Sequence, residues 1–114
     1  MSPEVGQICP CLEGEVFFQN FERREFGYGP DFGEVSVNKC KRCGRYWLEY
    51  FIEYESFTGA GRWFRGILAP DTATSVKPSE VITTLENLEW YFRGGSAFGG
   101  RVIKTSGPLK VWLL

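Results

Sequence analysis

Cys40-Lys41-Arg42-Cys43-Gly44 runs directly into Arg45-Tyr46-Trp47-Leu48-Glu49-Tyr50-Phe51-Ile52-Glu53-Tyr54, and the reading of this stretch decides the fold. Its second part alternates. Tyr46, Leu48, Tyr50, Ile52 and Tyr54 fall on one side of an extended chain; Arg45, Trp47, Glu49, Phe51, Glu53 and Glu55 fall on the other. Successive side chains of a strand point to opposite faces, so residues 45–55 read as a half-buried β-strand with the even positions toward a core. Trp47 and Phe51 then sit among charges and need cover from another element. The first part sets two cysteines around two basic residues. It has a counterpart in Cys9-Pro10-Cys11, with residues 12–39 between the pairs.

Working outward, Glu34–Lys39 alternates in the same way, with Val35 and Val37 opposed to Glu34, Ser36 and Asn38. That predicts a strand delivering Cys40. Glu15–Glu22 is predicted as a further strand, and 23–33, with Gly27, Gly29, Gly33 and Pro30, as a loop. Downstream, turn residues at 56–61 lead to a strand over Arg62–Ala69, so strands 34–39, 45–55 and 62–69 make an antiparallel meander. Pro70 ends the last of them, and Asp71 can cap a short turn over 72–76.

A main helix is predicted from Pro78. At about 100° per residue, Val81, Ile82, Leu85, Leu88 and Phe92 lie within roughly 60° of Leu85, one apolar stripe for the sheet. Gly94 and Gly95 end it. Trp90 would then stand about 140° from Leu85 among Thr83, Glu86 and Asn87, either under a loop or presented to a partner. Arg101–Thr105 and Leu109–Leu114, around a Ser-Gly-Pro turn, predict a terminal hairpin. Trp63-Phe64-Arg65-Gly66 echoes Tyr91-Phe92-Arg93-Gly94. With one copy in a strand and the other at a helix end, the echo reads as coincidence. The expected architecture is α+β: a meander plus C-terminal hairpin, one main helix packed on the sheet, and an N-terminal four-cysteine site, all in a single domain over 1–114.

Composition narrows the function. The chain has 114 residues, 43% hydrophobic and 24% charged, with 17% aromatic, which is globular and weighted toward β-structure. A core this small gains from a metal or another staple. The net charge of −1 gives no overall field toward nucleic acid or anionic membrane. Charge is segregated, however: residues 1–38 hold seven acids and two bases, whereas Lys39, Lys41, Arg42 and Arg45 cluster at the knuckle. The bland account is that the two segments neutralise each other. The N-terminus has no signal-peptide character and no apolar run is long enough to span a membrane. The expected compartment is a reducing cytoplasm, where paired cysteines hold metal more often than they form disulfides.

The chain contains no histidine. That removes Ser-His-Asp and Cys-His catalysis, His-ligated catalytic zinc and imidazole acid–base chemistry. Glu49, Glu53 and Glu55 share a strand face but lack any substrate-positioning motif, and read as a solvated face. The glycines of 94–101 match no phosphate-loop motif.

Two close cysteine pairs fit one four-thiolate site, Cys9, Cys11, Cys40 and Cys43. Zinc prefers tetrahedral thiolates; free thiols and a redox or iron–sulfur role are the other readings. Over about residues 9–54 the pattern resembles the zinc-ribbon group, in which two cysteine pairs sit on turns and the second reads C-x-x-C-G. Cys40, Cys43 and Gly44 match that half, while Cys9-Pro10-Cys11 is one residue shorter than the usual first pair. The resemblance implies a structural zinc ion and fixes neither catalysis nor binding.

The resulting expectation is a non-enzymatic, zinc-stabilised module that binds another protein, an inhibitor or immunity-type role being one form. Its candidate surface is Trp90, Tyr91, Phe98 and Trp63, with Phe64 nearby. The alternative is a nucleic-acid-binding ribbon using Lys39, Lys41, Arg42 and Arg45, since bases interleaved with aromatics can contact phosphates and stack on nucleobases.

Overall fold

The computed structural model describes residues 9–15, 17–52 and 61–109. Among them runs one antiparallel sheet of six strands in sequence order: β1 (Phe21–Tyr28), β2 (Glu34–Cys40), β3 (Tyr46–Ile52), β4 (Arg62–Leu68), β5 (Tyr91–Gly94) and β6 (Ile103–Thr105). Two short helices, α1 (Pro70–Ala73) and α2 (Val81–Glu86), lie in the connection from β4 to β5. The meander of β2, β3 and β4 follows the predicted alternation, in the register Val37↔Leu48 and Leu48↔Gly66.

That alternation gives the sheet two apolar faces. One carries Val35, Val37, Leu48, Tyr50, Ile52, Phe64, Leu68 and Tyr91, closed by Val81 and Leu85 of α2, by Ala73 and by Leu109. Gly66 is the flat spot where α2 seats, since a Cβ there would lie 2.3 Å from Leu88 Cδ1. The Tyr50 hydroxyl donates to the Pro30 carbonyl, and the Tyr91 hydroxyl donates to Gly107 O at 3.0 Å, which ties the turn before β2 and the segment after β6 to this face. The opposite face holds the second cluster: Phe21, Cys11, Cys40, Trp47 and Phe92, with Trp63, Ile67 and Trp90 at its margin.

Several expectations are corrected. The strand predicted over Glu15–Glu22 is a 3-10 turn at Phe18–Asn20, and the pairing begins only at Phe21. The segment read as a loop from Arg23 is β1, an edge strand exposed along most of its length and shifted in register between Glu25 and Gly27. The main helix is reduced to α2, six residues long. Val81 and Leu85 do face the sheet as the stripe requires, but the chain leaves the helix at Asn87 and re-enters the sheet as β5.

Phe92 therefore lies on the face opposite α2, stacked on Trp47 at 5.7 Å. The echo of Trp63–Gly66 in Tyr91–Gly94 is two neighbouring antiparallel strands, paired Trp63↔Gly94 and Arg65↔Phe92. The terminal strand β6 pairs with β5, and Leu109 belongs to no strand; residues 110–114, like Glu53, Tyr54 and Glu55, lie outside the described residues. None of the described helices is long and apolar enough to cross a membrane.

Candidate metal centre and the adjoining cleft

Cys9 and Cys11 are held by a 3-10 turn over Pro10–Glu13, entered through Pro10 and closed by Leu12 N–H donating to Cys9 O at 2.9 Å. Cys9 is extended, at φ −62° and ψ 135°, while Cys11 lies within the turn, and this change of conformation between them is how the short first pair presents both sulfurs to one point. The second pair sits on the knuckle after β2. Gly44 N–H donates to Cys40 O at 2.8 Å, and Cys40 N–H donates to Arg45 O at 2.8 Å. Gly44 has φ +79°, a left-handed conformation that glycine adopts without penalty. Lys41 N–H donates to Asn20 O at 2.9 Å, docking the knuckle against the N-terminal segment.

The two pairs meet. Cys9 Sγ lies 3.6 Å from Cys40 Sγ, Cys11 Sγ lies 3.5 Å from Cys43 Sγ, and all four sulfurs fall within 4.8 Å of one another. These separations exceed the roughly 2.05 Å of a disulfide. They match the edge, about 3.8 Å, of a tetrahedron with Zn–S bonds of about 2.3 Å. The four cysteines are positioned to hold one metal ion. Cys11 and Cys40 are buried, Cys9 half-buried and Cys43 exposed.

The surroundings treat the thiols unequally. Burial pushes the Cys11 and Cys9 thiols up, whereas Cys43 is drawn down to about 6: its burial opposes this, but the backbone N–H and side chain of Arg45 outweigh it. Arg45 is in turn held more firmly protonated, chiefly by Cys43. Trp47 is only 1% exposed, and its indole N–H favours the anionic form of Cys11. Arg42 pairs with Glu15, which also accepts from Asn20 Nδ2 at 2.7 Å. The N-terminal acids and the knuckle bases thus meet at this pair, and Lys39 stands over the Tyr46 ring at 5.6 Å.

The aromatic residues singled out from the sequence do not form one surface, because alternation along β4 and β5 sends them to different faces. Tyr91 and Phe64 are core beneath α2, at 2% and 1% exposure. Trp90 lies outside any helix and is half-buried, edge-on to Trp47 at 6.0 Å and to Phe92 at 5.2 Å, with Lys104 Nζ 4.2 Å above its ring. It packs against the apolar cluster to which Cys11 and Cys40 belong. Phe98 is half-buried under the Arg93 guanidinium at 4.7 Å.

Trp63 belongs to a feature the sequence did not disclose. On the face opposite α2, a cleft of about 410 Å³ is lined by Phe18, Phe21, Arg23, Glu34, Asn38, Glu49, Phe51, Trp63 and Arg65. Glu49 is half-buried and paired, with Oε2 3.3 Å from Arg23 Nη1 and Oε1 3.2 Å from Arg65 Nε, so it does not lie on a solvated face. The signal for this cleft was the polar Ser36, Asn38, Glu49 and Arg65 interleaved with β-strand residues, and it reads as a surface until the register puts Arg65 opposite Glu49. No protein-family model matches this chain, nor does any curated protein or solved structure.

Proposed function

We propose that the chain is a non-catalytic binding module whose sheet is clamped by a structural zinc ion and whose open face, opposite α2, recognises another protein. The observation that carries the metal is the convergence of four sulfurs within 4.8 Å of one another. Zinc would be held by Cys9, Cys11, Cys40 and Cys43, where it would supply a fixed link between the N-terminal turn and the β2–β3 knuckle. Four thiolates fill a tetrahedral shell, and a hydrolytic site needs an open position.

The binding half is supported by Phe18, 77% exposed at the cleft, with Phe51 and Trp63 half-buried beside it. Aromatic side chains are enriched at protein interfaces, and an inhibitor or immunity-type role suits a small rigid face of this kind. The reading of Lys39, Lys41, Arg42 and Arg45 as a nucleic-acid surface has less support. Arg42 is engaged by Glu15 and Arg45 by Cys43, and the net charge of −1 adds no field.

Metal analysis of the purified protein should return one zinc ion per chain, lost to a chelator together with a large drop in melting temperature. A protein free of metal whose melt ignores the chelator overturns the zinc clamp. Capture from an extract of the native host, with Phe18→Ala as the control, tests the face: the same proteins retained by both forms would refute it.

A further inference from the structure

The cleft on the open face is built around a guanidinium, paired with Glu49, whose hydrogen-bond donors the protein leaves unused. Arg65 is 4% exposed, and its guanidinium lies between the rings of Phe21 at 4.7 Å and Trp47 at 5.8 Å. Such ring contacts engage the guanidinium without using its N–H donors, of which it has five. Its Nε is 3.2 Å from Glu49 Oε1 but lacks hydrogen-bond geometry, and its terminal nitrogens donate no hydrogen bond among the described residues. A buried charge in this condition is costly unless something completes it.

Glu49 cannot complete it alone, because its other oxygen serves Arg23 at 3.3 Å. Two guanidiniums thus share one carboxylate at the floor of the cleft. The second acid, Glu34, stands at the rim with its side chain 46% exposed, 3.7 Å from Arg23. A charge so placed is largely screened by water. The unmet demand is for acceptors that suit an arginine fork, which a carboxylate supplies with a single added charge. A phosphate dianion would bring two charges toward Glu49 and Glu34, which already balance Arg23 and Arg65. The rest of the lining is apolar and aromatic, and the volume of about 410 Å³ is that of a small-molecule site.

We propose that this cleft binds a carboxylate carried on an aromatic or apolar body, the carboxylate meeting Arg65 and the body lying among Phe18, Phe51 and Trp63. The proposal deepens the reading of the open face as the recognition surface and rests on it. The same chemistry comes from a free aromatic acid or from the C-terminal residue of a polypeptide.

The test is amide-resolved NMR titration of the full chain as purified, with indole-3-acetate for the first source and N-acetylphenylalanine for the second, each against its carboxamide. At least one acid should move the signals of β2, β3 and β4 around the cleft and bind about ten-fold more tightly than its amide. The tighter of the two acids identifies the source. Arg65→Gln should bring acid and amide to equal affinity. If that variant does not fold, Glu49→Gln carries the test, because freeing Arg65 of its shared partner must widen the preference for acid. An acid and amide bound equally by the wild-type chain would overturn the carboxylate while leaving an apolar open face standing. No shift with any probe on a folded chain, or an unwidened preference in Glu49→Gln, would also overturn it.

Discussion

Gly66→Ala should destabilise the protein, although glycine in a strand is ordinarily the worse residue. An added Cβ would sit 2.3 Å from Leu88 Cδ1, 3.1 Å from Leu85 Cδ2 and 3.5 Å from Tyr91 Cβ. Carbon pairs are most favourable at roughly 3.5–4.0 Å, so the first contact is a hard overlap and the second a compression. Leu88 is half-buried and has room to change rotamer; Leu85 is fully buried and has none. Forcing a methyl into such a packed site costs about 1–3 kcal/mol. The intrinsic gain from replacing a strand glycine is about 0.5–1 kcal/mol. Two contacts in conflict put the cost in the upper half of that range, so the net loss expected is about 1–2.5 kcal/mol, read as a lower urea midpoint at unchanged slope. Leu88→Ala should cost less in the Gly66→Ala background than in the wild-type chain, because it removes the atom in conflict, with a coupling of at least ~0.5 kcal/mol. A Gly66→Ala protein as stable as wild type, or strict additivity of the pair, would refute the seating of α2 on a flat spot.

Trp90→Ser should lower stability by roughly 1–3 kcal/mol, since the half-buried ring packs on Trp47 and Phe92, and an unchanged denaturation midpoint would show that those contacts carry no weight. Metal affinity should fall as pH falls. Burial makes Cys9 and Cys11 hold their protons more tightly than ordinary thiols, and the metal must displace both, so affinity should change at least about a hundred-fold per pH unit around neutrality. Cys43, drawn down to about 6, is already a thiolate at neutral pH and adds to the slope only in mild acid. Competition against a chromophoric chelator at neutral and mildly acid pH measures this, and a pH-independent affinity would contradict it.

The central meander and the cysteine set were legible because each leaves a local mark. Leu48, Tyr50 and Ile52 alternate against Trp47, Glu49 and Phe51 in a strand buried on one face and partly covered on the other, and the C-x-x-C-G knuckle is short-range. The edge strand β1 was hidden because Glu22, Arg23, Arg24 and Glu25 are exposed on both sides. With no buried face there is no period of two to detect, and the pairing is set by β2 alone. The helix was overextended for the converse reason. Phe92 happens to complete the angular stripe of Val81, Leu85 and Leu88, and nothing in one sequence marks the exit at Asn87.

The Trp63–Gly66 echo marked two adjacent strands, although its matched residues, Trp63 with Tyr91 and Phe64 with Phe92, fall on opposite faces. The cleft was illegible for a different reason. Its polar members, Arg23, Glu49 and Arg65, come from three strands, and only the register brings them to one point. Of the aromatic surface expected from Trp90, Tyr91, Phe98 and Trp63, only Trp63 lines that cleft.

Among the described residues, every strand of this sheet pairs only with its immediate neighbours in the chain. During synthesis such a sheet can be laid down hairpin by hairpin, with little loop entropy lost at each step. All four sulfurs fall between Cys9 and Cys43, ahead of Trp90 and Phe92, which join Cys11 and Cys40 in the second apolar cluster. A nascent chain would thus offer an open ligand set to a metal ion before β5 docks and completes the cluster around Cys11 and Cys40. Loading before that docking then becomes a matter of timing.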